Sequence, residues 1–186
     1  KVSGKDLNWF FNQWYFGKGY PKLEVKSTFD PMKKQVTVNV AQTQEEKFEF
    51  PLSIDVLENG KISRKEVWVT AKAKNDFVFD VTKNPELINA NPEGLLLSDI
   101  KQDKTPEQLY LQYTTAKDLY SKYTAIEEAK DQVSKNPFAD KLYAAALKDK
   151  FYRNRLLALE GLPEDPKSFL ADVEKLAQND DKNLVK

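Results

Sequence analysis

A chain of 186 residues without cysteine or histidine has no disulfide, thiolate nucleophile, zinc-thiolate site, Ser-His triad or imidazole metal ligand. Its 29 basic and 29 acidic side chains cancel, which argues against the clustered basic excess of a nucleic-acid footprint. At 40% hydrophobic and 12% aromatic it carries enough for a core in one large or two small domains, and no apolar run approaches the ~18 residues of a membrane span. The lack of cysteine suits either side of a bacterial inner membrane and leaves the compartment open.

The first stretch, KDLNWFFNQWYFGKGYP at 5–21, is dense in aromatic residues. Ser3 followed by Asp6 fits a capping box, and Leu7, Phe10, Phe11 and Trp14 recur at i, i+3, i+4 and i+7. Trp9, Gln13 and Phe16 occupy a second face, and Gly17, Gly19 and Pro21 end the helix. A helix apolar nearly all round is expected to be buried on most sides, wedged between a sheet in front and something behind. Few residues precede it and there is no initiator Met, so the expectation is a piece of a larger protein that carries no catalytic chemistry itself.

From Lys22 the pattern changes to period two. Leu23, Val25 and Phe29 share one face, and Asp30-Pro31-Met32-Lys33 is a turn signal before the alternation of Val36, Val38 and Val40. Phe48, Phe50, Leu52, Ile54 and Val56 make the longest alternation, with Pro51 outward, a position tolerated at a sheet edge or bulge. Asn59-Gly60 then predicts a hairpin into 61–70. Phe77, Phe79 and Val81 predict another strand and 94–100 a further one. Short strands with regular turn signals and no intervening helix point to a β-sandwich.

After the polar hinge 101–104 the signals become helical. Thr105-Pro106, Asn136-Pro137 and Asp165-Pro166 are cap-then-proline starts, and Gly161 with Pro163 marks a helix end. Leu109 and Tyr113, then Leu119, Tyr123 and Ile126, then Phe169, Val173 and Leu176 form the apolar stripes, and 179–186 reads as frayed. Residues 122–127 (KYTAIE) match 155–160 (RLLALE) at an offset of 33 (155 minus 122), which points to stacked helix pairs or, alternatively, an ordinary bundle.

An aromatic helix ending GKGYP, a sandwich, and helix pairs of Lys/Arg-x-x-Ala-Ile/Leu-Glu type follow one another in this chain. In that order they resemble the region downstream of the catalytic domain in gluzincin zinc aminopeptidases, the aminopeptidase N and leukotriene hydrolase family. SGKDLNWFFNQWYFGKGYPKLEV is similar to the junction of catalytic domain and sandwich, ELINANPEGLLLSDIKQDKT to the sandwich's exit, and QYTTAKDLYSKYTAIEEA to the first helical repeat. The resemblance implies a multi-domain all-β plus all-α chain: residues 1–20 as the last helix and linker of an upstream catalytic domain, 21–103 as an Ig-like β-sandwich, and 104–186 as a HEAT/armadillo-like helical repeat domain. The family's H-E-x-x-H zinc site and Gly-x-Met-Glu-Asn motif are both missing, so no catalytic, cofactor-binding or metal-binding residue is carried over, and zinc is expected only in the upstream domain. The implied partners are that catalytic domain, packed on the aromatic helix, and the parent's peptide substrate, with no nucleic acid and no membrane span. The alternative is a protein-interaction scaffold from a relative that has lost its zinc site.

Three groups remain to be weighed. Trp9, Phe10 and Trp14 as a stacking platform compete with ordinary helix packing, which their spacing favours. Lys150, Arg153 and Arg155, with Tyr152 among them, are candidates for a peptide carboxylate or phosphate, against a solvated helix face near a C-terminus, the preferred reading. Glu45-Glu46 and Glu127-Glu128 are sequence neighbours that do not face each other, and they read as surface charge.

Overall fold

The computed structural model describes Gly4 and residues 6–185; Ser3, on which the expected capping box rests, lies outside the described residues. The chain divides into two compact units, one running to Asn91 and resuming at Leu95–Asp103, the other made of Pro92–Gly94 and the chain from Lys104 on. Among the described residues no helix is long and apolar enough to cross a membrane.

Among the described residues the first unit holds a short helix, α1 (Asn8–Trp14), and seven strands: β1 (Lys22–Asp30), β2 (Gln35–Gln42), β3 (Phe50–Glu58), β4 (Lys61–Val69), β5 (Lys74–Asp80), β6 (Leu87–Ala90) and β7 (Asp99–Lys101). They form a four-stranded sheet in the order β5-β2-β1-β7 and a three-stranded sheet in the order β4-β3-β6. Every pairing is antiparallel except that of β1 with β7. Val25, Val36, Val38 and Val40 from one sheet and Phe50, Leu52, Ile54 and Val56 from the other join a single buried cluster. At about 1.5–3 kcal/mol for each buried side chain of this size, that cluster is the main stabilising term.

The turns follow from their residues. Asp30 accepts hydrogen bonds on Oδ1 from the amides of Met32 (2.9 Å) and Lys33 (3.1 Å), which turns β1 into β2. Asn59 and Gly60 both take positive φ (53° and 70°), the type I′ geometry that matches strand twist. Pro51 lies in the central strand of its sheet, not in an edge strand as its sequence implies. The ladder alternates from the closing pair Glu58↔Lys61, so Pro51↔Trp68 is a non-hydrogen-bonded pair toward β4. Toward β6 the pairing begins only at Ile54, so no ladder bond is lost at Pro51.

Two strand expectations need correction. Of 94–100 only the last residues are extended, as β7, and Leu95 and Leu97 are exposed. The strand that the sequence does not announce is β6, whose four residues are all buried and therefore show no alternation.

Side-chain amides close several backbone gaps in this unit by pairing with both the N–H and the C=O of one residue. Gln42 does so with Phe48 (2.7 and 2.9 Å), Asn75 with Thr70 (3.2 and 3.0 Å) and Asn91 with Leu96 (3.1 Å each way). Gln102 donates to the Ile88 carbonyl (2.8 Å) and accepts from the Ala90 amide (3.2 Å). Each satisfies groups that a short strand would leave unpaired.

The second unit contains α2 (Pro106–Thr115), α3 (Leu119–Ala129), α4 (Pro137–Ala146), α5 (Tyr152–Glu160) and α6 (Leu170–Asn179), with a 3-10 turn at Lys167–Phe169. Thr105 and Gln108 form a reciprocal capping box, and Asn136 caps α4. At Asp165-Pro166 the sequence signal produces the 3-10 turn, without a side-chain cap, ahead of α6. Leu109, Ile126, Leu142, Tyr143 and Leu147 are buried in one cluster.

On α3 only Ile126 of the expected stripe lies on the buried face. Leu119 and Tyr123 are exposed, and beside Ile126 it is Ser121, Ala125 and Ala129 that face inward, small residues that let helices approach closely. Gly161 follows α5 with φ −91°, so it is not a left-handed cap. A Cβ there would stand 2.3 Å from the Tyr143 hydroxyl, and packing against that ring demands glycine. Nor is the chain after α6 frayed: Asp180 and Val185 are buried.

Candidate functional site

In the second unit the densest polar chemistry centres on Asp149, in the loop between α4 and α5. Its Oδ2 accepts from the Tyr113 hydroxyl of α2 (2.6 Å) and from Lys122 Nζ of α3 (2.9 Å), and its Oδ1 from the Phe151 amide (2.8 Å). Lys122 also sits 5.1 Å from the centre of the Tyr113 ring. Burial would raise the Asp149 carboxyl, but the bonds from Tyr113 and Lys122 outweigh it and hold the group at about 2. Burial, reinforced by Asp149, pushes the Tyr113 phenol far above its ordinary value.

Arg155 lies next to this centre and uses all five of its N–H donors internally. Nε and Nη2 grip Asp180 at 2.6 and 2.7 Å, and Nη2 also reaches Asp181 at 2.8 Å. Nη1 donates to the Asp149 carbonyl (2.9 Å) and the Lys150 carbonyl (3.2 Å). The Asp180 carboxyl is drawn down to about 2, chiefly by Arg155. A cavity of about 340 Å3 adjoins the pair, with the Lys148–Asp172 ion pair (2.8 Å) at its wall.

This arrangement overturns both sequence readings of Arg155. It is buried, so it is no solvated face, and it has no free donor for a peptide carboxylate. It also lies in the first half of α5, so the helix dipole is not what favours it. Lys150 and Arg153 are exposed and do not converge with it, and Arg153 lies 5.8 Å over the Tyr152 ring. Asp149 and Asp180 carry most of this chemistry and were not singled out from the sequence. The one local signal was Asp149 two residues before the Phe151 amide, an Asx-turn spacing.

In the first unit α1 is held by one face. Gln13 Nε2 donates to the Glu49 carbonyl and Gln13 Oε1 accepts from the Glu49 amide, both at 2.8 Å, so the side chain acts as a short strand partner. Trp14 packs on Phe48 (5.3 Å between centroids) and Trp9 on Trp68 (5.1 Å, edge-to-face). Leu7, Phe10 and Phe11 are 40–46% exposed, and no residue of α1 is fully buried. Helical spacing had implied burial on most sides; one anchored face and one bare face are what the structure shows. The aromatic residues do not gather into a flat platform, since Trp9, Phe10 and Phe11 meet edge to face.

Glu45, Glu46 and Glu127 are exposed. Glu128 is exposed as well, and it also meets the largely buried Lys104 at 3.5 Å. Burial lowers the Lys104 ammonium from its ordinary value against the pull of Glu128. Among the described residues no group of three or more Asp or Glu side chains is placed to hold a metal ion, and the sequence offers no His or Cys, so the residues present do not fit a zinc site.

No family profile matches the sequence, and no curated protein does. Among solved structures, the fold is similar to that of Legionella pneumophila aminopeptidase A, crystallised in complex with aspartic acid, with a TM-score of 0.70 at 16% identity. The match covers 97% of this chain and 26% of that one, so the chain spans about a quarter of the length of the protein it resembles. At this identity the likeness concerns the fold: an aminopeptidase-like arrangement of strands followed by helices.

Proposed function

We propose that this chain is the non-catalytic C-terminal part of a zinc metallo-aminopeptidase and that it shapes access to an active-site cleft built upstream. In this reading residues 1–20 close the catalytic domain, 21–103 form an Ig-like β-sandwich, and 104–186 form a HEAT-like helical repeat domain. The observation that carries it is the likeness itself, which takes in 97% of this chain and only 26% of an aminopeptidase. Zinc and the hydrolysis of peptide N-termini would belong to the remainder, since the sequence has no His or Cys and the described residues hold no acidic cluster placed for a metal.

Two features support the finer points. The anchored α1 leaves Leu7, Phe10 and Phe11 bare, as expected of a helix with a second domain against it. The repeated segments 122–127 and 155–160 both bury their alanine, Ala125 and Ala158, as stacked repeats would.

The test is to express the long reading frame that contains this chain, with and without 104–186, and to follow an aminoacyl reporter and peptides of increasing length. Removal of the helical unit should leave the reporter hydrolysed and change the preference between short and long peptides. A long form with a degenerate H-E-x-x-H and no hydrolysis would favour the scaffold reading instead.

A further inference from the structure

The hairpin tip carries a chemical liability. Asn59-Gly60 is the one Asn-Gly pair in the sequence, and both residues are exposed. In flexible chains such a pair deamidates readily. The Gly nitrogen attacks the Asn Cγ, ammonia leaves, and a five-membered succinimide forms. Water then opens the ring to aspartate or isoaspartate, so the net change is gain of H2O and loss of NH3. The missing side chain of glycine is what makes the attack easy.

Each reacting group of this pair is restrained. The Gly60 amide, the nucleophile, donates to Glu86 Oε2 (3.4 Å), and the Asn59 amide donates to Glu86 Oε1 (3.2 Å). Asn59 Nδ2, the departing nitrogen, donates to Thr82 Oγ1 (3.4 Å). Glu86 is steadied by Lys83 Nζ at 2.7 Å, and Thr82 by Glu58, which accepts from its amide (2.5 Å) and from its hydroxyl. Asn59 sits in the left-handed region at φ 53°, and ring closure requires it to rotate out of that well.

We propose that Asn59 is a latent deamidation site held shut by a clasp of Glu86 and Thr82 and opened by local unfolding of the β3–β4 tip. The product is irreversible and propagates. An aspartate at this position places a second carboxylate beside Glu86, and isoaspartate adds a main-chain methylene to a two-residue turn whose geometry sets the strand register. Release of the tip therefore ratchets in one direction.

The experiment is incubation of the whole chain at neutral to mildly alkaline pH. Peptide mapping then follows the mass gain of deamidation at Asn59 and separates the aspartate product from the isoaspartate one. A synthetic peptide of residues 57–62 gives the unrestrained rate. The intact chain should deamidate at Asn59 at least about tenfold more slowly than the peptide, and Glu86→Ala should recover roughly tenfold, the effect of losing a charge-assisted bond. Circular dichroism confirms that the variant is folded; should it fail to fold, Thr82→Val, which removes the acceptor of Asn59 Nδ2, carries the comparison, and an unchanged rate there overturns the proposal equally. An intact chain that deamidates as fast as the peptide overturns the proposal, and so does a folded Glu86 variant with an unchanged rate.

Discussion

Lys122 and Arg155 open the two similar segments 122–127 and 155–160, and both end on Asp149: Lys122 through the carboxylate at 2.9 Å, Arg155 through the main-chain carbonyl, also at 2.9 Å. One loop residue thus ties α3 to α5, and through the Tyr113 hydroxyl it holds α2 as well. A local resemblance in sequence becomes a shared anchor in three dimensions.

Removal of that anchor should loosen the helical unit. Asp149→Ala strands Lys122 and the Tyr113 hydroxyl, and it should cost about 3 kcal/mol, as breaking a buried pair does. Urea denaturation of the variant against the parent chain checks it; a loss within about 0.5 kcal/mol, the range of ordinary surface substitutions, would show that Asp149 is not the anchor.

Acid should act through the same residue. The folded Asp149 carboxyl titrates near 2, below the ordinary aspartate value of about 3.9. Its contribution is therefore complete above about pH 4 and is lost as the pH falls toward 2, an effect of about 2 kcal/mol. Stability measured across that window should fall steeply for the parent chain and more gently for Asp149→Asn. Parallel slopes would contradict the assignment.

Arg155 should prove structural. Arg155→Lys keeps the charge but cannot span Asp180 with two parallel bonds, so it should lose about 1.5–3 kcal/mol. The decisive contrast is with Arg153→Ala, which is exposed and should change stability by less than about 0.5 kcal/mol. Equal effects of the two substitutions in thermal melts would refute the distinction.

The bare side of α1 should drive self-association of the isolated chain. Each large side chain left in water forgoes about 1.5–3 kcal/mol of burial, and Leu7, Phe10 and Phe11 adjoin the still more exposed Tyr15 and Phe16. Sedimentation velocity should show concentration-dependent dimers that vanish in a Phe10→Ser/Phe11→Ser variant. A strictly monomeric parent chain would count against the claim.

The isolated chain should neither bind zinc after dialysis nor hydrolyse an aminoacyl reporter, because it lacks imidazole and thiolate ligands. Stoichiometric zinc in a metal analysis, or hydrolysis that survives repurification, would contradict this.

Much of the secondary structure was legible because its causes are local. Period-two alternation marked β1 to β5, Asn59-Gly60 marked the hairpin, and Thr105-Pro106 with Gln108 marked the start of α2. The strand β6 was not, since burial on both faces erases alternation. Apart from Ile126 the buried face of α3 was not either, since Ala125 and Ala129 carry too little hydrophobicity to outweigh Leu119 and Tyr123 in a pattern.

What the sequence determined by itself was the run of β1 to β5 ahead of a helical half and the absence of thiol and imidazole chemistry, because both depend on residue type and near-neighbour spacing. What only the tertiary structure decided were the partners of polar groups far apart in the chain. Gln13 pairs with Glu49 across 36 positions, and Arg155 with Asp180 across 25. The physical reason is that a polar side chain on a helix face reads as solvated until folding removes its water. It must then be satisfied by whatever donor or acceptor the packing brings within about 3 Å. Arg155 read as a solvated surface cation in one dimension and became, in three, the clamp that holds the C-terminal segment.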